Sequence, residues 1–344
     1  MMRSSNVTPI LLAGLLSCSV WATAMAEDAR PDADDGTGDI VLGDGQIGVP
    51  ERPTPIIASA LTDDPLDAEN QLVQIEQRRL QRKGLFEFEP LGFFRRPWGE
   101  LNDKLYESYG FRAGIGIHNM FQAADRTITG TKKWGAATDF DVNLNWDLLN
   151  RGQPDQGGFF ANIEGRWEYG FPPGPQTLGF ASLATVGGTA NTFSRYVPAF
   201  TARQLFWRQG SPEAGWSYRL GKITVDGAFS SSRHLNPNAT FLPNASGAVF
   251  GVAAADSGLG AQGHFAFNEN WAVMGLVSDA NASRFNFGDP LEGDVFGGGE
   301  LQWRSSKSAK LSTVAKLGLS GTNGTKNGLP ANGATGNQCG PRML

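Results

Sequence analysis

The feature that most constrains this chain is an unbroken alternation. Between Thr138 and Asp147, Phe140, Val142, Leu144 and Trp146 alternate with Asp139, Asp141, Asn143, Asn145 and Asp147. Successive side chains of a strand point to opposite faces of a sheet, so a period of two puts an apolar face back to back with an acidic one. A soluble sandwich strand alternates in this way. So does a membrane-barrel strand, over about ten residues, with an aromatic at its end and acids toward a lumen.

The same period recurs from Phe111 onward. Phe111, Ala113, Ile115 and Ile117 share one face of a first strand. In a third, Phe159, Ala161, Ile163, Trp167 and Tyr169 oppose Asn162, Glu164, Arg166 and Glu168. A fourth covers about 200–209, and in a fifth Trp216, Tyr218 and Leu220 oppose Ser217 and Arg219. A sixth spans about 258–267, a seventh 271–279, an eighth 295–304, and a ninth about 310–320. The connections sort by length. Long segments (122–137, 170–198, 223–257, 280–293) alternate with short ones, such as 210–213 and 268–270. That asymmetry fits an outer-membrane barrel, with short periplasmic turns and long outer loops. Trp146, Trp167, Trp216, Trp271 and Trp303 fall at strand ends, as interfacial girdles require. The expected fold class is therefore all-β: an antiparallel outer-membrane β-barrel, residues 111–320, with a short helical N-terminal segment.

The N-terminus has the form of a secretory signal, residues 1–26: Arg3, an apolar run from Ile10 to Trp21, then Ala24-Met25-Ala26. Leu15-Leu16-Ser17-Cys18 also loosely resembles a lipobox. Residues 27–66 are acidic and proline-rich, a linker. Residues 67–110 are expected to be helical and periplasmic. A first helix over 67–83 begins at Asp67 and carries a narrow Leu72, Ile75 and Leu80 stripe, which predicts a surface helix. A second follows in 97–110, with Pro97 in its first turn and Leu101, Leu105 and Tyr109 on one face. Residues 321–344 are Gly- and Asn-rich, like a loop.

Composition excludes several classes. A formal charge of -5 gives no sign of a nucleic-acid partner. The only cysteines, Cys18 and Cys339, form no disulfide framework for the exported chain. His118, His234 and His264 lack metal spacing, and Ser231-Ser232-Arg233-His234 is no nucleophile elbow. The expectation is a non-enzyme with no cofactor and no metal.

Several segments resemble the OprB-type carbohydrate-selective porins of Gram-negative outer membranes: "RQLFWRQGSPEAGWSYRLGKITVDGAFSSSRHLNPNATF", with Tyr218-Arg219-Leu220-Gly221-Lys222 at its centre, "SGLGAQGHFAFNENWAVMGLVSDANA", "DFDVNLNWDLLN" and "GDVFGGGELQW". The likeness covers about 90–320. It implies passive diffusion of small sugars through a sixteen-stranded barrel, with outer-membrane lipid and small sugars as partners and self-association left open. Nine strands and a loop-like tail then make this chain resemble a C-terminally shortened member. The alternatives are an outer-membrane barrel of another role, a non-functional shortened porin, or a soluble secreted sandwich.

A sugar pore needs a wet lumen that offers hydrogen bonds and holds solute weakly. Candidates on the polar face are Asp139, Asp141, Glu164, Arg166, Glu168, Arg203, Arg208, Arg219, Glu300 and Arg304. Lys222 is expected to point toward a constriction formed by 223–257. The competing reading of each is a structural ion-pair ladder along the wall.

Overall fold

The computed structural model describes residues 17–24, 67–80, 92–128, 130–169, 174–183, 193, 200–211, 214–225, 228, 256–305 and 313–322. Ten strands form one antiparallel sheet. They are β1 (Ser17–Ala24), β2 (Phe111–Ala123), β3 (Trp134–Leu149), β4 (Gly157–Glu168), β5 (Phe200–Ser211), β6 (Trp216–Thr224), β7 (Ser257–Ala266), β8 (Trp271–Asp279), β9 (Val295–Arg304) and β10 (Thr313–Thr322). From β2 to β10 every strand pairs with its neighbours in sequence, and β1 pairs with β10. The nine strands expected from 111 to 320 are all present.

Boundaries differ in detail. β3 reaches back to Trp134, so the first long connection shrinks to 124–133. The remaining connections at that end are 169–199, 225–256 and 280–294, and those at the other end are 150–156, 212–215, 267–270 and 305–312. The expected sorting of connections therefore holds. Segment 17–24, expected within a removable signal, is a strand on β10 in the full chain. Cleavage after Ala26 would remove that strand and expose the β10 edge.

The sheet is inverted relative to a water-soluble protein. In β3, Asp139, Asp141, Asn143, Asn145 and Asp147 are buried, and Trp146 is 47% exposed. The inner face continues through Asn162, Glu164, Arg166, Arg208, Arg219, Gln262, Glu300 and Gln302, all buried. The outer face carries Ile117, Phe159, Leu205, Leu220, Phe265, Val277, Leu301 and Leu319, all exposed. Buried charges normally need partners, and exposed apolar patches of this extent mark a surface that meets something other than water.

Aromatics ring the outer face at both ends. Near the short connections, Trp146 lies opposite Phe111 and Phe159, Trp216 opposite Phe265, and Trp271 opposite Trp303. Near the long ones, Phe121 packs on Trp134, and Phe140, Trp167 and Phe200 cluster with centroids 6.0–6.2 Å apart.

Two helices complete the described chain. Helix α1 (Ala68–Leu80) lies on the polar face of the sheet. This corrects the expected surface helix: Asp67, Ala68, Glu69 and Leu72 are buried. Leu72 joins one apolar cluster with Phe160 of β4, Phe206 of β5, Met274 and Leu276 of β8 and Phe296 of β9. Strands as far apart in the sheet as β4 and β9 share this cluster because the sheet curls. Gly114, on the inner face of β2, makes room: a Cβ there would sit 2.6 Å from Ile75 Cδ1.

Helix α2 (Gly92–Tyr109) starts five residues before the expected Pro97, which lies inside it. Leu101 and Tyr109 are exposed, not packed together on a buried face. Polar groups dock the helix instead. Ala113, whose N–H and C=O face away from β3, donates to Asn102 Oδ1 (2.8 Å) and accepts from Trp98 Nε1 (3.3 Å). Two side chains thus occupy the positions a neighbouring strand would take on the β2 edge. At the helix C-terminus, Arg151 donates to the Tyr106 and Glu107 carbonyls, where a cation meets the negative end of the dipole.

Candidate functional site

The buried polar face resolves into three clusters, and each of the expected lining residues can be placed.

The first cluster lies toward the long connections. Arg166 Nε sits 2.8 Å from Asp139 Oδ1, and its terminal nitrogen pairs with Glu164. Asp139, Glu164 and Arg166 come together because β3 and β4 pair Asp139 with Arg166 and Asp141 with Glu164. Asp141 lies one step along and accepts from Asn162 Nδ2 at 3.0 Å. Connection 280–294 folds over this group. Arg284 reaches Glu164 Oε2 at 3.8 Å and pairs with Asp256, whose other oxygen lies 3.9 Å from Arg203 Nε. Burial pushes the Asp256 carboxyl above its ordinary range, against the pull of the Arg203 guanidinium. The Arg284 carbonyl accepts from Lys222 Nζ at 2.9 Å and from Thr201.

Lys222 is buried beside this cluster. Its visible partner is connection 280–294; segment 229–255, the bulk of the connection expected to form the constriction, lies outside the described residues. Strand register sets Lys222 opposite Leu205 and Leu259, on the apolar side. Yet it is buried, with Nζ 4.9 Å from the Phe287 ring centroid. The preceding Gly221 has φ +136, a conformation open to glycine, and this bend re-aims the lysine.

The second cluster joins α1 to β5 and β6. Arg219 Nη1 donates to Asp67 Oδ2 at 2.7 Å, and Arg219 Nη2 lies 2.8 Å from Glu69 Oε2. Arg208 Nη1 donates to the same Glu69 oxygen at 2.6 Å. Gln204 Oε1 accepts from the Ala68 N–H at 2.8 Å, while Gln204 Nε2 donates to Asp67 at 3.2 Å. Arg219 also lies over the Phe206 ring, 4.8 Å from its centroid. For Arg208 and Arg219, therefore, the partners are the acids of α1, as the ladder reading had it in kind though not in partner.

The third cluster lies on β9 and β10: Glu300 accepts from Gln302 Nε2 at 2.8 Å and stands 3.8 Å from Lys316 Nζ. Glu168 and Arg304 are not part of the buried face. Glu168 ends β4 and accepts from the Gly174 N–H at 2.7 Å, tethering the following connection. Arg304 is exposed at the opposite end. Both stand at strand ends, Glu168 half-buried and Arg304 exposed.

Sequence reading missed Asp67, Glu69, Asp256, Asp279 and Arg284. Asp279 folds connection 280–294, accepting from the Asn281 and Asp289 N–H groups at 2.6 and 2.7 Å. Arg284 carried a faint signal: it is the sole basic residue between Trp271 and Arg304. Among the described residues, no three His, Cys, Asp or Glu gather as a metal site would. His234 lies outside them.

No family model matches the chain, and no curated protein matches it. Among solved structures, the high-pH structure of Pseudomonas putida OprB matches with 13% identity and a TM-score of 0.47, covering 64% of this chain and 54% of that one. The chain thus spans about half the length of that protein.

Proposed function

We propose that this chain forms the wall of an outer-membrane pore for passive diffusion of small carbohydrates. One observation carries the membrane part: from β3 to β9 most charged and amide side chains are buried, beside a few apolar ones such as Phe160 and Phe206, while large aliphatic and aromatic side chains stand exposed on the opposite face. In water that arrangement would forfeit the main driving force of folding, while in lipid it is the stable one. The two aromatic rows and the one-sided long connections support the same placement.

The carbohydrate part rests on the first cluster and on the resemblance of the sequence. Asp139, Asp141, Glu164, Arg166, Arg203 and Arg284 bring paired donors and acceptors to one level of the interior. Neutral polyols need such paired groups, and guanidinium forks hold two hydroxyls at once. Passage needs no catalyst.

The test is refolding into liposomes with swelling measured in a monosaccharide, a disaccharide and a larger oligosaccharide. Swelling graded by size, and altered by Glu164→Gln, is expected. An inserted chain that gives no swelling in any of the three sinks the proposal.

A further inference from the structure

We infer that α1 is a tethered plug: its acidic first turn is latched to Arg208 and Arg219, it lies on the interior face of β2–β4, and unlatching it widens the pore and turns it toward anions. The inference rests on the pore reading above.

Geometry carries the first step. The helix starts against β5 and β6, where Asp67 and Glu69 meet Arg208 and Arg219. Two turns later it lies against β2 and β3. There Gln71 accepts from Asn143 Nδ2 at 2.6 Å, and Ile75 fills the space left by Gly114. The helix lies on the interior face over β2, β3 and β4, and the long Arg208 and Arg219 side chains reach its acidic first turn from β5 and β6. Seated there, it fills part of the cross-section that a solute must pass.

Charge carries the second step. Arg208 and Arg219 are both engaged by carboxylates of α1. Seated, the helix cancels two positive charges of the wall. Unseated, it returns two guanidinium groups to the lumen, and fixed charge at close quarters sets ion preference. The latch is a buried ion-pair network, so its two sides part only together, each returning to water, and the sequence just before Asp67 is acidic and proline-rich. Among the described side chains, the apolar part of the seat is Ala68, Leu72, on the cluster with Phe206, and Ile75 beside Gly114.

The experiment uses the full chain in planar bilayers, with single-channel conductance and reversal potential in a salt gradient. Two variants are compared with wild type. The first is Asp67→Asn with Glu69→Gln. The second is Ile75→Cys with Gly114→Cys, in a chain whose Cys18 and Cys339 are serine, bridged by a short reducible bis-thiosulfonate. The latch variant is expected to conduct about twofold more or better and to shift toward anion selectivity. The bridged variant is expected to stay at the low level under all conditions and to recover on reduction. As a readout independent of conduction, Leu72→Cys in inserted protein resists an impermeant maleimide in the wild-type background and reacts in the latch variant. Equal conductance of wild-type, latch and bridged chains overturns the plug while leaving the pore intact. Equal maleimide reactivity in both backgrounds overturns it as well. If inserted wild-type and latch chains are both silent, the pore reading itself fails and the plug falls with it.

Discussion

Leu220→Arg separates a lipid-facing wall from a water-facing one. Leu220 is the fifth of nine residues in β6, half exposed, on the face opposite Arg219. Its cross-strand neighbours are Trp207 and Ala261, so the arginine has no acid beside it on that face. If the face met water, a surface substitution of this kind would change stability by less than about 0.5 kcal/mol. In the middle of a bilayer it costs about 2–4 kcal/mol, which lowers the folding equilibrium constant by about 30- to 700-fold. Phe265→Arg, near the short connections, is the internal control: there the cost falls to about 0–1 kcal/mol for the charge itself. The assay is reversible urea unfolding from liposomes, followed by tryptophan emission, with both variants at one lipid composition. A cost for Leu220→Arg below about 0.5 kcal/mol, or equal costs at the two depths, would refute the inverted-sheet argument.

Further substitutions probe the interior. Phe206→Ala removes a buried ring stacked on Phe160 at 5.6 Å and lying under Arg219; a loss of about 3–5 kcal/mol is expected in the same unfolding assay. Gly221→Ala forces a side chain into φ +136 with its Cβ 2.4 Å from the Leu205 carbonyl oxygen, so destabilisation of at least about 1–3 kcal/mol and a freed Lys222, reactive to amine reagents, should follow. Asn102→Ala strips the acceptor from Ala113 on the β2 edge; hydrogen exchange at that amide should accelerate while exchange in β6 stays unchanged. Arg151→Ala loses the contacts to the last carbonyls of α2, and about 0.3–1 kcal/mol of local protection should disappear from that helix alone.

The strands were legible because their signal is local. Which residues of β3 or β4 face inward follows from a period of two, so Asp139, Glu164 and Arg166 could be placed on the polar face; that they meet one another follows only from the β3–β4 register. Helix α1 was not legible in the same way. Its Leu72 and Ile75 stripe is narrow, and the residues that bury its acids, Arg208 and Arg219, stand well over a hundred positions away. No window on the sequence joins them. Lys222 defeats periodicity for a different reason: one glycine with positive φ turns the residue after it. Glu168 and Arg304 obey the alternation but sit at strand ends, where the same parity no longer implies burial.

Neighbour-to-neighbour pairing from β2 to β10 also fixes an order of events. Each hairpin closes a short loop or a moderate one, and none waits for a distant partner. The ties of α1 are of another kind: Ala68 to Gln204 and Asp67 to Arg219 bridge 136 and 152 residues. Although α1 emerges early in synthesis, its seat does not exist until β5 and β6 have paired and the sheet has begun to curl. The first helix of the chain is thus among the last parts to find its place, and a kinetic phase reporting on Asp67 should trail one reporting on the β2–β3 hairpin.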